Sequence, residues 1–407
     1  MIRRPQIVQS DPQGNLPQEF SLVIGGPLYQ LYRKTRLLRG PMELVVRRIL
    51  AIPLICWLPL LVLTAAAGHL IGGVPVPFLR DPEVHIKLLL ALPILIAAEV
   101  LVHDRIRLVV GQFEQRDIIA RQDQQHFREL VASAMRLRNS VRVELGLFAL
   151  VLMIGYWMWQ QNLKLTVSNI SISSWYAIST SSGLHLTAAG MYYAFVSLSI
   201  FRFLLLRWYF RLFIWYRFLW QVRAMPLQLN LYHPDRAGGL GFLSASLIAF
   251  SPIFVAQTTV LSSVVFTRIL HGGKTLPDFT MELVVAVLFF VLVAVLPMAF
   301  FITKLERAGR FARFELGALA SHYVDDFRQK WVKGSSRPAE PLLGTGDIQS
   351  LADMANSFEV VSGVGLFPIN KKSLIRLVGA IVVPLLPLTL TVIPLSEIVK
   401  SLIKIVF

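Results

Sequence analysis

The sequence predicts an all-α polytopic membrane protein with about seven transmembrane helices, six at the fewest, and two helical segments outside the bilayer. Three observations predict it. Of 407 residues, 55% are hydrophobic and 16% charged, where soluble domains carry about a quarter charged residues. The apolar residues gather in runs near the roughly 20 residues needed to cross the hydrocarbon. The basic residues gather between those runs on one side: all but seven of the 40 Lys and Arg, the exceptions being Arg80, Lys87, Lys164, Arg268, Lys274, Lys400 and Lys404.

The runs are Ile49–Ile71, Val84–His103, Leu145–Gln161, Leu184–Leu205, Phe242–Leu270, Leu283–Thr303 and Leu377–Leu395. Lys and Arg collect in cytoplasmic loops. That bias puts the N-terminus and the basic loops in the cytoplasm and the C-terminus outside, in a plasma membrane of the bacterial inner-membrane kind. The net charge of +16 then reflects topology and contact with anionic lipid headgroups, and a nucleic-acid partner is not expected. The single cysteine, Cys56, lies in an apolar run, so no intramolecular disulfide forms. The first 44 residues are polar and basic and predict no cleavable signal.

Four regions follow. Residues 1–44 form a cytoplasmic or interfacial segment in which aromatics and Arg interleave from Tyr29, as in a helix lying on the membrane. Residues 45–303 hold six spans, with a cytoplasmic helical insert at 104–144. Residues 304–374 form a second cytoplasmic helical segment, and 375–407 a final span broken by proline, followed by an amphipathic tail.

Taken in order, the first span carries Pro53 and Pro59, and the second carries Pro93 and Glu99. A carboxylate at that depth is costly, so it faces protein or water and finds a partner. Arg202, at similar depth in span four, is the expected one. In the insert, Ile106, Val110, Phe113, Ile118, Phe127, Leu130, Val131, Met135 and Leu137 recur at mostly helical spacings. They predict an apolar stripe docking on the second cytoplasmic segment or on another subunit. The outer loop suggests a strand pair around LTVSNISIS and carries an Asn169-Ile170-Ser171 sequon.

Span four runs into FRFLLLRWYFRLFIWYRFLWQVR, where Arg202, Arg207, Arg211, Arg217 and Arg223 are spaced 5, 4, 6 and 6 apart. At about 100° per residue these scatter around the helix, unlike a voltage sensor. They predict guanidinium groups snorkelling at the inner headgroups and stacking on the neighbouring Trp and Tyr rings.

Pro226 ends that helix, and LQLNLYHPDRAGGLGFL joins it to span five. His233, Asp235 and Arg236 offer a base, a carboxylate and a guanidinium within four positions. Gly238 and Gly239 permit close backbone approach, just before a helix N-terminus that favours anions. The stretch is therefore a candidate cytoplasmic junction or anion site. The competing reading is a structural turn with Asp235 paired to Arg236. Tyr232-His233-Pro234-Asp235-Arg236 resembles the YHPDK-type loop through which J-domain cochaperones stimulate heat-shock chaperones. The resemblance covers five residues and implies no such activity here: that family's loop joins two soluble helices, whereas this one runs into an apolar span.

Span five is the most polar. Ser244, Ser251 and Thr258 recur seven apart, with Gln257 and Ser262 beside them. Such a face either lines a hydrated path or packs closely against other helices. In the second cytoplasmic segment, 334–341 reads as a linker. Asp347 is placed to cap a helix whose apolar face is Ile348, Leu351, Met354, Phe358 and Val361. Span seven carries Pro384, Pro387 and Pro394, and broken membrane helices build ion or substrate sites.

Together these features predict an integral membrane channel or transporter for an ion or small solute, with an anion as one option, acting as a homo-oligomer. Its path would draw on Glu99, Arg202, Ser244, Ser251, Gln257, Thr258, Ser262, Pro384 and Pro387. A membrane scaffold or signalling protein working through its cytoplasmic helices is the alternative. A lipid-modifying enzyme using His233, Asp235 and His322 is a third, though no complete triad or metal set is present and no cofactor is expected.

Overall fold

The computed structural model describes residues 20–34, 45–160, 173–180, 183–333 and 345–392. The Asn169 sequon, nearly all of LTVSNISIS, the 334–341 linker, Pro394 and the C-terminal tail lie outside these residues.

The architecture is helical. In order, the elements are α1 (Pro27–Lys34), α2 (Val45–Ala66), α3 (Pro82–Gln115), α4 (Gln124–Arg138), α5 (Val141–Gln160), a hairpin of β1 (Ala177–Thr180) and β2 (Gly183–Leu186), α6 (Ala188–Ala224), α7 (Leu240–Gly272), α8 (Leu276–Val332), α9 (Asp347–Ser362) and α10 (Lys371–Thr391). Among the described residues, α2, α3, α6, α7, α8 and α10 are each long and apolar enough to cross a membrane. The expected third span falls in α5, which reaches that standard only together with α4, from which it is bent by 41° at a short break. Leu54, Ile55, Leu58 and Val62 of α2, and Val284, Leu288, Phe289 and Leu292 of α8, remain exposed. In water so much apolar surface would be untenable, whereas in lipid it is ordinary.

The centre of the bundle is α7, which packs against α3, α10 and the first half of α8. Small residues make this possible: Ser246, Ala249, Ser251, Ala256 and Ser263 are buried and let neighbouring backbones approach. Helix α3 starts where Asp81 accepts from the Glu83 N–H at 3.1 Å, with Pro82 in the first turn, a favourable start because Pro has no N–H to leave unpaired. Pro297 lies in a stretch, Leu296–Phe301, where α8 tightens to 3₁₀ geometry. The proline-rich end of α10 stays helical, as a nine-residue 3₁₀ stretch from Val383 to Thr391. Pro384 there is half-buried and Pro387 exposed.

Two expectations change. The apolar stripe of the insert packs on α6 rather than on the second helical segment: Phe127 meets Phe218 at 5.9 Å, and Phe113 meets Phe127 at 5.7 Å. Asp347 does not cap α9. Its carboxylate accepts from Lys330 Nζ at 2.8 Å and Trp331 Nε1 at 2.9 Å, which ties the start of α9 to α8. The bond from Lys330, and after it that from Trp331, holds this carboxyl below its usual range. The expected face of α9 is only partly covered. Val361 is buried with Leu231, Ala312 and Leu316, and Met354 packs against them, while Ile348 and Phe358 stay exposed.

Gly190, in the first turn of α6, is a close-contact position. A Cβ there would sit 1.9 Å from the Tyr176 carbonyl oxygen, so backbone must move. Gly190→Ala should destabilise by about 1–3 kcal/mol, the usual cost of overpacking. Thermal unfolding in detergent checks this against Gly72→Ala, where nothing lies within 4 Å.

Candidate functional site

Glu99 lies on α3 and is 4% exposed. Its carboxylate is met by three guanidinium groups from two other helices. Arg48 of α2 donates through Nη1 to Oε2. From α6, Arg211 donates through Nη2 to Oε1 at 3.0 Å, and Arg207 Nη1 stands 3.5 Å from the same oxygen. Arg207 also reaches Glu144 of α5, Nε to Oε1, at 2.9 Å. Three arginines thus face two glutamates, so these five side chains carry one net positive charge when ionised.

The strap that enters at Phe20 covers this cluster. Glu144 Oε2 accepts from the Leu28 N–H at 3.0 Å. Ser21 Oγ lies 2.9 Å from His103 Nδ1 and accepts from the Ile24 N–H at 2.9 Å. Arg138 donates to the Ser21 carbonyl, and Gly25, at φ 131°, makes room for that guanidinium.

The expected pairing of Glu99 with Arg202 is therefore corrected. Arg202 turns towards α5, its Nη1 4.0 Å from where a Cβ on Gly155 would be. Arg207 and Arg211 sit five and nine residues further along α6 and reach the carboxylate instead. They are 6% and 3% exposed, so they point into the protein rather than snorkelling to headgroups. Of the expected stacking, Arg211 lies over Trp208 at 4.4 Å and Arg223 over Trp220 at 3.9 Å. Arg48 and Glu144 both sit at span edges, where a charge normally meets water, so their place in the sequence does not single them out. For Arg48, the apolar residues that follow it at once in VVRRIL were the available signal.

A second buried polar group lies at the other end of α3. Lys87 donates to Glu83 Oε1 at 2.6 Å and to the Tyr193 hydroxyl at 3.3 Å. Lys87 and Tyr193 each open a π-helical turn, Lys87–Ala91 and Tyr193–Ser197, a distortion frequent at functional sites. Nearby, Asp81 Oδ2 accepts from Trp175 Nε1 at 2.9 Å. Burial pushes the Asp81 carboxyl above its ordinary value, against the lowering effect of that bond.

The hydroxyls of α7 are spent within the helix. Ser251 donates to the Ile248 carbonyl at 2.9 Å and Thr258 to that of Phe254 at 3.1 Å, while Thr259, Ser263 and Thr267 repeat the pattern. Ser262 is buried on the same helix. Ser244 instead ties α7 to the loop before α10, donating to the Pro368 carbonyl at 3.2 Å and accepting from the Asn370 N–H at 2.9 Å. Gln257 accepts from the Tyr209 hydroxyl. Such back-bonding and burial are the chemistry of helix packing.

At the junction, Leu227 bridges Ile119, and the Gln228 N–H donates to the Ile118 carbonyl at 2.9 Å. Asp235 then organises the turn. Its Oδ1 accepts from the N–H groups of Ala237 at 2.9 Å and Gly239 at 3.1 Å, and its Oδ2 from that of Gly241 at 2.9 Å. His233 Nδ1 lies 3.1 Å from Oδ1. Asp235 is not paired to Arg236, whose guanidinium reaches Glu359 at 3.5 Å and whose carbonyl accepts from Gly365. Positive φ at Gly238 (63°) and Gly239 (88°) lets three amides converge on one side chain. The amides that would have greeted an anion at the start of α7 already hold a carboxylate. In comparisons with known proteins, the chain matches no family model, no curated protein and no solved structure.

Proposed function

We propose that the chain is a multi-pass plasma-membrane protein, N-terminus in the cytoplasm, that carries a small anion past a site formed by Arg48, Arg207 and Arg211. The observation that carries this reading is the convergence of three guanidinium groups on the buried carboxylate of Glu99. Ionisable groups at membrane depth mark ion pathways. A carboxylate held by three arginines occupies the place a substrate anion would take. In this reading Glu99 is the internal occupant, displaced or neutralised when an anion enters. The net positive charge of the cluster favours that exchange. The hydroxyls of α7 and the prolines of α10 then serve packing around the path rather than its wall.

In this proposal α5 crosses the bilayer as a seventh span, which keeps the strap and the Arg-rich ends on one side, and the chain works as a homo-oligomer. A second reading, a membrane scaffold, is favoured by the exposed Phe311, Phe314, Leu319 and Val324 on the later half of α8. The enzyme reading is weakened because the Asp235 carboxylate is engaged by three amides.

Anion flux separates these readings. Purified protein in liposomes should pass at least one of chloride, nitrate or phosphate well above empty vesicles. Arg211→Gln should change that rate tenfold or more, since it removes a guanidinium that donates directly to Glu99 at 3.0 Å. No flux across the three anions would end the transport reading.

A further inference from the structure

We propose that a cavity bounded by Arg223, Lys304 and Arg307 binds the phosphate of an anionic phospholipid headgroup. The cavity measures about 720 Å³ and lies between the end of α6, the extended junction and α8. Three cations line it and, among the described residues, no carboxylate does. The remaining lining includes the Thr303 hydroxyl and the apolar side chains of Leu227, Leu229 and Phe311. Like charges around one void repel each other unless an anion fills it, and a phosphate accepts several N–H bonds at once.

Two of the cations are positioned by neighbours. Lys304 donates to the Met225 carbonyl, which anchors its ammonium at the cavity edge. Arg223 sits over the Trp220 ring, its Cζ 3.9 Å from the ring centre, a cation–π contact that holds the guanidinium beside the cavity. Arg307 is exposed and, among the described residues, has no carboxylate partner. The adjoining cavity across Leu229 and Phe311 differs, because Asp117 and Glu315 accompany Arg116 there and offset its charge.

Location favours a lipid over a soluble phosphate. Arg223 precedes the last residue of α6, and Lys304 and Arg307 follow the apolar stretch of α8. The site thus sits where two candidate spans leave the apolar layer. Trp220 packs edge-on against Phe300 at 5.0 Å there, in keeping with aromatic residues at headgroup level. The apolar walls suit the glycerol and upper acyl carbons.

Lipid retention by the full-length protein tests the proposal. After delipidation in detergent, the protein is titrated with phosphatidylglycerol or phosphatidylcholine and bound lipid is counted by native mass spectrometry. Phosphatidylglycerol should be retained, and Arg223→Gln with Arg307→Gln should weaken that retention at least tenfold without changing phosphatidylcholine. The double Lys variant should keep most of the binding. The single Arg307→Gln, at an exposed position, gives the same test if the double variant unfolds, and thermal melting reports folding in each case. Equal retention by wild type and variants overturns the site. Inorganic phosphate binding with the same sensitivity, without lipid retention, overturns the headgroup assignment. Neither result bears on Glu99, which is read separately by anion flux.

Discussion

Glu99→Gln is expected to lower the thermal unfolding temperature of the detergent-solubilised protein by roughly 4–8 °C and to change anion flux more than any other single substitution. The stability loss follows from burial. Removing one partner of a buried ion pair costs about 3–5 kcal/mol, because the remaining charge stays desolvated without its counterion. Each kcal/mol moves the midpoint by about 2 °C or less in a chain this long. Here three guanidinium groups, those of Arg48, Arg207 and Arg211, lose the carboxylate they share. Only Glu144 would remain to oppose them. Adding Arg211→Gln should recover part of the loss, leaving the double variant about 0.5–3 kcal/mol better than the sum of the singles. Under the transport reading, Gln no longer competes for the site, so anions bind more tightly and leave more slowly. A melting point within 1 °C of wild type, together with unchanged flux, would remove Glu99 from both structure and function.

The second large effect is expected at Asp235. Replacing it with Ala deprives the N–H groups of Ala237, Gly239 and Gly241 of their acceptor. Losing a helix-start cap costs about 1–2 kcal/mol. Two further amides of this half-buried turn bring the expected total to about 2–4 kcal/mol. The turn also holds Arg236 at φ 52°, a conformation most side chains avoid, so loss of the cap should loosen the contacts of Arg236 with α9. Asp235→Asn retains one side-chain carbonyl and should lose less than half as much. His233→Ala should lose less again, because His233 touches only the carboxylate and its own turn. Limited proteolysis at the junction, beside thermal melting, reads the difference. Equal stability in Asp235→Ala and wild type would show that the glycines alone shape the turn.

Much of the helical scaffold was legible in the residues. Runs such as Phe242–Leu270 and Leu283–Thr303 fall within helices α7 and α8, because run length against bilayer thickness is a one-dimensional constraint. Pro226 stands just beyond the last turn of α6 for an equally local reason: a ring that fixes φ and lacks an N–H does not continue a helix. That Glu99 needs a partner was readable too, since a carboxylate inside an apolar run is costly wherever its partner lies.

What the residues alone could not decide was who meets whom. Position along a span gives depth, but contact also needs the direction in which a side chain leaves its helix and the identity of the helix facing it. Arg202 matched Glu99 in depth and turned towards Gly155, whereas Arg207 and Arg211, four residues and about one turn apart, faced the carboxylate, with Arg48 arriving from α2. The hydroxyls of α7 divide the same way: Ser251 and Thr258 bond back to their own turn, a local property, yet the burial that makes this face a packing surface comes from α3 and α10. At the junction the sequence determined that a turn with freely rotating glycines precedes a helix. Only the tertiary structure decided that its amides close on Asp235, and that Arg223 of α6 comes to line one cavity with Lys304 and Arg307 of α8, because two segments far apart in the chain meet there only through packing.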